Sequence, residues 1–327
     1  DAAYRPIPDI PNIPDIPKNI SNISNISYMS RFLEEIQGRV RGSGKRIVLS
    51  EADDDRVVAA ALELRGSGLL EPIVVGPRKS QAAQHFDVID PRDDARTAEF
   101  TETIFTLRRH KGLSYDAARG FAEDPLYFAA LMVRAGHADG SVAGVVRTTA
   151  DVLRAAIWCV GTAPGIRNVS SSFYMVVPPF RGEASEVLTF TDASVIPDPT
   201  AEQLADIAEA ASVARRPIVG DEPRVAFLSF STKGSAESPS VARVREAAAL
   251  FRQRRPDVVA DGELQVDAAL IADIARRKAP DSALAQRLIP EAKLPRDEQL
   301  TMSTWWLEAT LKPARCEPFT WTLRTRT

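Results

Sequence analysis

From residue 46 onward, short apolar runs alternate with stretches whose apolar side chains recur at helical spacing. Residues 46–50, 71–75, 86–89, 141–146, 169–177, 187–191, 224–230 and 258–264 read as strands. Residues 56–65, 99–110, 114–122, 125–135, 148–160, 201–214, 241–253 and 268–277 read as helices. Strands separated by helices of this length imply crossover connections. The expectation is an α/β chain with largely parallel sheets covered on both faces, in a three-layer α/β/α arrangement. A cleft beside the strand ends is the default place for a small-molecule site in such a fold.

The two ends depart from this pattern. Isoleucine recurs every third residue at Ile7, Ile10, Ile13 and Ile16, then at Ile20, Ile23 and Ile26. That period suits neither helix nor strand, and five prolines in the first 18 residues oppose helix. Residues 1–28 are therefore expected to be a disordered low-complexity extension, with Met29 as the natural start. The three Asn-Ile-Ser units are formal glycosylation sequons, discounted because no secretory leader precedes them. Residues 286–327 have no sustained period and carry Trp305, Trp306 and Trp321. They are expected to be foreign to the rest, as a shifted reading frame or a misassembled gene end would be.

Composition narrows the function. The chain has 327 residues, 44% hydrophobic and 26% charged, with a formal net charge of −3. That supports about two domains with sizeable cores and gives no basic excess for nucleic acid. The longest apolar run, 126–133, is far short of the ~18 residues a membrane helix needs. Cys159 and Cys316 make neither a disulfide framework nor a zinc quartet. The expected setting is the cytoplasm, with no membrane partner, no nucleic acid and no metal.

Four segments carry candidate chemistry. In Arg147-Thr-Thr-Ala-Asp-Val-Leu-Arg154, Thr148 is placed to cap a helix and Asp151 to complete a capping box. Free backbone N–H groups at that turn, the Thr149 hydroxyl and the planar Arg154 cation suit an anion; simple helix capping beside a solvated arginine fits the same text. Phe230-Ser-Thr-Lys-Gly-Ser-Ala236 follows an apolar strand, and Lys233, Gly234 and Ser235 there suit either an anion nest or an ordinary polar turn. Asp261-Gly-Glu-Leu-Gln-Val-Asp267 holds three carboxylates for metal or acid–base work, with a strand followed by a helix cap at Asp267 as the plainer reading. Alternation puts Asp261, Glu263 and Gln265 on one face. Arg108-Arg-His-Lys111 is a cationic helix end, functional or simply solvated. His85 and His137 read as structural, and Cys159, in an apolar stretch, as buried rather than nucleophilic.

Together these segments resemble the phosphate acetyltransferase (phosphotransacetylase) family and its relative, phosphate butyryltransferase. The matching text runs from Arg46-Ile-Val-Leu-Ser-Glu and Arg56-Val-Val-Ala-Ala through Leu107-Arg-Arg-His-Lys-Gly112, Asp124-Pro-Leu-Tyr-Phe, Ala138-Asp-Gly-Ser-Val-Ala-Gly144, Thr148-Thr-Ala-Asp-Val-Leu-Arg154 and Thr162-Ala-Pro-Gly165. It continues in Ser229-Phe-Ser-Thr-Lys-Gly-Ser235 and Asp261-Gly-Glu-Leu-Gln-Val-Asp-Ala268. The resemblance covers about residues 29–285. It implies reversible acetyl transfer between coenzyme A and inorganic phosphate through acetyl phosphate, with coenzyme A as substrate and no permanently bound cofactor. It also implies an isocitrate dehydrogenase-like pair of α/β domains, here 29–165 and 166–285, and a homodimer. By resemblance, Arg108 and Arg154 bind acyl phosphate and the coenzyme, Thr148 and Thr149 line the phosphate pocket, Lys233, Gly234 and Ser235 sit in the cleft, and Arg56 approaches the coenzyme.

The resemblance stops in the tail. The family continues with an Ala-Asn-Val-Leu strand and an Asn-Asp-Leu-Ser-Arg-Gly motif, whose Ser and Arg, with a later Asp, stabilise the intermediate and deprotonate the thiol. Residues 286–327 contain neither text, and Asp297 lacks the surrounding motif. Without a base, a thiol of pKa ~8.5 stays largely protonated at neutral pH. The second domain is accordingly expected to be incomplete and the activity impaired by several powers of ten. The alternatives are a phosphate butyryltransferase, or a non-catalytic module that binds acyl-CoA or acyl phosphate.

Overall fold

The computed structural model describes residues 21–179 and 185–285. The expectations for residues 1–20 and 286–327, including Asp297, Cys316 and the three C-terminal tryptophans, lie outside the described residues.

The described chain opens with α1 (Ser21–Val40), followed by β1 (Arg46–Leu49), α2 (Asp55–Ser67) and β2 (Glu71–Val74). Then come α3 (Thr97–Arg108), α4 (Tyr115–Ala122), α5 (Pro125–Arg134), β3 (Gly140–Val142) and α6 (Thr149–Ala155), which runs into a π-helical turn at Ala156–Val160. The second half holds β4 (Ser172–Val177), β5 (Glu186–Thr191), α7 (Ala201–Val219), β6 (Arg224–Leu228), α8 (Pro239–Arg254) and β7 (Val259–Leu264), then α9 (Val266–Leu270) and α10 (Ala272–Lys278).

Strand alternation builds the layers. In the parallel sheet β2-β1-β3, Val48, Ile73 and Val75 enter a core with Phe100, Ile104, Phe128 and Leu131 of α3 and α5. Ile47, Leu49 and Val74 point the other way, onto Val57, Val58 and Ala61 of α2. The parallel pair β6–β7 repeats the scheme, with Val225 and Phe227 toward α7 and α8, and Ala226 and Leu228 toward Leu264 and Ala269. The chain is thus mixed α/β with parallel sheets and helices on both faces.

Several expectations need correction. The pair β4–β5 is antiparallel, with Ser172 opposite Thr191 and Val177 opposite Glu186. Its connection, 178–185, is too short for the dozen or so residues of a parallel crossover. Residues 86–89 give one parallel bridge, Val75 to Ile89, rather than a strand. The helix expected at 268–277 is two helices broken at Ile271, whose φ of −103° and ψ of 115° are extended. The extension assigned to 1–28 does not hold for its last eight residues, because α1 begins at Ser21, past the last proline of the repeat at Pro17. Arg39 on α1 donates to the carbonyls of Pro217 (2.6 Å) and Ile218, so this helix leans on the second half although a division at residue 165 assigns it to the first.

Candidate functional site

In the three-stranded sheet, β1 is flanked by β2 on one side and β3 on the other. The connections leave in opposite directions, which makes the carboxyl ends of β1 and β3 a switch point of the kind beside which open α/β sheets bind ligands. Two loops meet there. After β1, Glu51 reaches across and accepts four consecutive backbone N–H groups: Gly144 (3.1 Å) and Val145 (2.9 Å) on Oε2, Val146 (2.9 Å) and Arg147 (2.8 Å) on Oε1. The turn after β3 is therefore an anion nest, and the anion in it is the chain's own carboxylate. The N–H groups expected to be free at this turn are not free. An external anion is left with Thr149 and Ala150, whose N–H groups the helix itself does not use, and with the hydroxyls of Thr148 and Thr149.

Thr148 caps α6 as expected, its Oγ1 accepting the Asp151 N–H at 3.2 Å. The capping box is only half made. The Asp151 carboxylate takes the Thr148 hydroxyl at 2.7 Å rather than the Thr148 backbone N–H. Aspartate is one methylene shorter than the Glu or Gln that completes such boxes, as Gln203 does for Thr200 on α7. Thr148 holds the Asp151 carboxyl below the usual carboxylate range, with Arg154 and Arg147 adding to the effect.

Three arginines lie along α6 and the loop before it, and a fourth, Arg108, meets the turn after it. Arg56 forks onto Asp54 through Nε (2.9 Å) and Nη2 (2.8 Å) and donates to the Val145 carbonyl at 3.1 Å, joining the β1 loop to the β3 loop. Arg147 binds Asp124 at 2.6 Å. Asp124 also caps α5 by accepting the Leu126 N–H at 2.9 Å. Arg154 holds Asp151 at 3.0 Å from an exposed position. Arg108 differs from the other three. Its guanidinium carbon lies 4.4 Å from the centre of the Trp158 ring, and its Nε is buried with no hydrogen-bond partner. Aromatic side chains floor the region: Phe121 packs on Tyr127 (centroids 4.6 Å apart) and on Trp158 (5.3 Å), and Tyr127 lies 6.2 Å from Trp158. Thr148, Thr149 and Arg154 thus share α6 and its cap, Arg56 ties to the loop before it at Val145, and Arg108 meets the turn after it at Trp158.

Lys233, Gly234 and Ser235 form a separate group in the second half. Lys233 has a left-handed φ of +48°, and Gly234 follows at +80°. Their polar partners lie within residues 231–263. Lys233 Nζ binds Asp261, the Gly234 N–H donates to Glu263 Oε1 at 2.7 Å, and Ser235 Oγ accepts the Thr232 N–H at 3.0 Å. Glu263 and Asp261 are buried on β7, whose pairing with β6 shifts register at Glu263. Arg245 contacts both Glu263 oxygens (2.9 and 3.2 Å) and holds this carboxyl down at about 2. Burial pushes the Asp261 carboxyl up, but Lys233, Ser282 and the Gly262 N–H bring it below its ordinary value. Among the described residues no cluster of His, Cys, Asp or Glu has metal-binding geometry. These carboxylates fix the Lys233 loop. The cap of α9 falls on Gln265 rather than Asp267. Cys159 is buried, and burial pushes its thiol up to about 12.

Glu51, Asp124, Tyr127 and Trp158 went unsingled in the sequence reading. Glu51, Asp124 and Tyr127 stood inside matching motifs, but a single carboxylate or aromatic gives no local signal of the loop it meets.

A family model described as phosphate acetyl/butaryl transferase matches residues 31–288. The chain belongs to this family. The resemblance drawn over about 29–285 corresponds to that span. Phosphate acetyltransferases from Paracoccus denitrificans (41% identical over 259 residues, 78% of this chain and 79% of that protein) and Clostridium acetobutylicum (37% over 262 residues, 77% and 79%) are among its relatives. The fold is similar to that of a phosphotransacetylase from Streptococcus pyogenes, with TM-score 0.72, 32% identity and 85% and 87% of the two chains covered. It is also similar to the EutD phosphotransacetylase from Staphylococcus aureus, with TM-score 0.70, 32% identity and 80% of each chain. No described helix is long and apolar enough to cross a membrane.

Proposed function

We propose that this chain is a phosphate acetyltransferase, transferring an acetyl group between coenzyme A and inorganic phosphate. The observation that carries the reading is the match to relatives that bear that name, one of them 41% identical over 78% of this chain, and Arg154 on the helix that Thr148 caps supports it. In the acyl-CoA-forming direction, the coenzyme thiolate attacks the acetyl carbonyl carbon. A carbon–sulfur bond forms, the carbon–oxygen bond to phosphate breaks, and inorganic phosphate leaves with the electron pair. The thiol proton must first pass to a base. Arg154 and Arg108 would hold the phosphoryl charge, and Thr148 and Thr149 would donate to its oxygens. Arg56, at the mouth beside Val145, would meet the coenzyme. Lys233, Gly234 and Ser235 would line the opposite wall, in an isocitrate dehydrogenase-like arrangement of domains 29–165 and 166–285. Coenzyme A enters as substrate, no cofactor stays bound, and the working unit is a cytoplasmic homodimer.

Residues 286–327 contain no Asn-Asp-Leu-Ser-Arg-Gly text, and with it go the serine, arginine and base of the relatives. The chain would therefore bind its substrates but turn over far below a typical enzyme's ~10 s⁻¹. The same observation favours a second reading, a module that binds acyl-CoA or acyl phosphate without turnover. A phosphate-dependent thiol-release assay with acetyl-CoA, run beside calorimetry with coenzyme A, decides. Slow turnover with binding supports the enzyme, binding alone supports the module, and neither overturns both. Turnover near ~10 s⁻¹ removes the impairment while keeping the activity.

A further inference from the structure

The Tyr127 hydroxyl proton has no acceptor, although its residue is only 4% exposed. Tyr127 sits in the first turn of α5, behind the Asp124 cap and Pro125. Its ring is wedged between Phe121 and Trp158, so it does not swing out to find water. A buried hydroxyl whose proton has no acceptor is costly, and tyrosine is normally buried with its oxygen satisfied.

The neighbours explain why the chain itself leaves it unsatisfied. Burial pushes this phenol's pKa up, and the nearby Arg154 guanidinium is the main influence opposing the rise. A guanidinium has donors only, so it cannot accept the phenolic proton. The Asp124 carboxylate also acts on Tyr127, but its oxygens are committed to Leu126 N–H and Arg147. What fits beside an arginine and an unaccepted phenolic proton is an anionic oxygen. Arg108, against the other ring contact of this cluster, brings a second buried donor, Nε, in the same unpartnered condition.

We propose that Tyr127 is a substrate-binding residue whose hydroxyl donates a hydrogen bond to a phosphoryl oxygen of acetyl phosphate, or of inorganic phosphate, held by Arg154. This rests on the proposed acetyl transfer and extends its phosphate pocket from the start of α6 to the start of α5. The coenzyme is not the partner of this hydroxyl.

The test is Tyr127→Phe, which keeps the ring and removes only the oxygen. Calorimetry with acetyl phosphate, inorganic phosphate and coenzyme A is run on the full chain and the variant, with thermal melts of both. The expected result is acetyl phosphate and phosphate binding ~10–100-fold weaker, from the loss of a hydrogen bond to a charged acceptor, coenzyme A binding unchanged and a melting temperature equal or higher. A lower melting temperature with unchanged phosphate affinity gives the hydroxyl a structural role and overturns the proposal. Unchanged affinity and unchanged melting also overturn it. If the unmutated chain binds neither acetyl phosphate nor coenzyme A, the proposed function itself falls; if it binds both and Tyr127→Phe binds them equally, only the role of Tyr127 falls.

Discussion

Replacing Glu51 by glutamine tests whether one side chain shapes the turn between β3 and α6. The carboxylate accepts four N–H groups at 2.8–3.1 Å, two on each oxygen. Glutamine is the same size but keeps a single acceptor oxygen, so it retains two of the four contacts. Its NH₂ group then faces the other two donors. Stranding a partly buried donor costs about 1–3 kcal/mol. Two stranded donors in a loop that water partly reaches give about 2–4 kcal/mol. The turn leads directly into Thr148, so its displacement also moves the helix start expected to hold phosphate. The assay is urea unfolding at neutral pH for Glu51→Gln against the unmutated chain, with acetyl phosphate binding measured in parallel. The expected outcome is a lower midpoint with unchanged slope and an affinity loss of about tenfold, the size of one 1.4 kcal/mol change. A variant that unfolds within about 0.5 kcal/mol of the original and binds equally well would refute the reasoning, because surface changes alone produce that much.

Other outcomes follow from the same geometry. Glu263 is held at about 2 in the folded chain, against an ordinary 4.5, so its stabilisation is whole above about pH 4.5 and is lost as the pH falls toward 2. Unfolding at pH 7 and pH 3 should show a Glu263→Gln chain losing less stability on acidification than the original, with a difference of up to about 2 kcal/mol; equal losses would contradict it. Arg154→Gln breaks an exposed i,i+3 pair with Asp151, so the melting temperature should barely move while acetyl phosphate binding weakens ~10–100-fold. In a Cys316→Ser chain, Cys159 should resist a thiol reagent at pH 8 and react fully once urea unfolds the protein, since its thiol is buried and pushed up to about 12. Rapid labelling of the folded chain would place Cys159 at the surface.

Much of the architecture could be read from the chain because it depends on near neighbours. Apolar periods of two and 3.6 placed most strands and helices from β1 onward, the expected strand at 86–89 and the unbroken helix at 268–277 excepted, and Thr148, Ser114 and Asp124 cap their helices through side chains two or three positions away. The contents of the cationic cluster were legible only as residue types in matching motifs, and the separate anchoring of the Lys233 loop by Asp261 and Glu263 was visible only as carboxylates on one face of a strand.

By itself, then, the sequence determined the α/β alternation, the Thr148 cap, the burial of Cys159 and the family text of residues 29–285. Tertiary structure decided which groups meet. Glu51 finds the Gly144–Arg147 N–H groups some 93 to 96 positions away because β1 and β3 lie side by side and end together. Arg108 lies on Trp158, and the Tyr127 hydroxyl is left without an acceptor, because α3, α5 and α6 pack on one face of that sheet. The pattern of a strand fixes which face a side chain takes, but which distant loop it faces depends on the order of strands in the sheet, and that order is set by packing the whole chain rather than by any local run of residues.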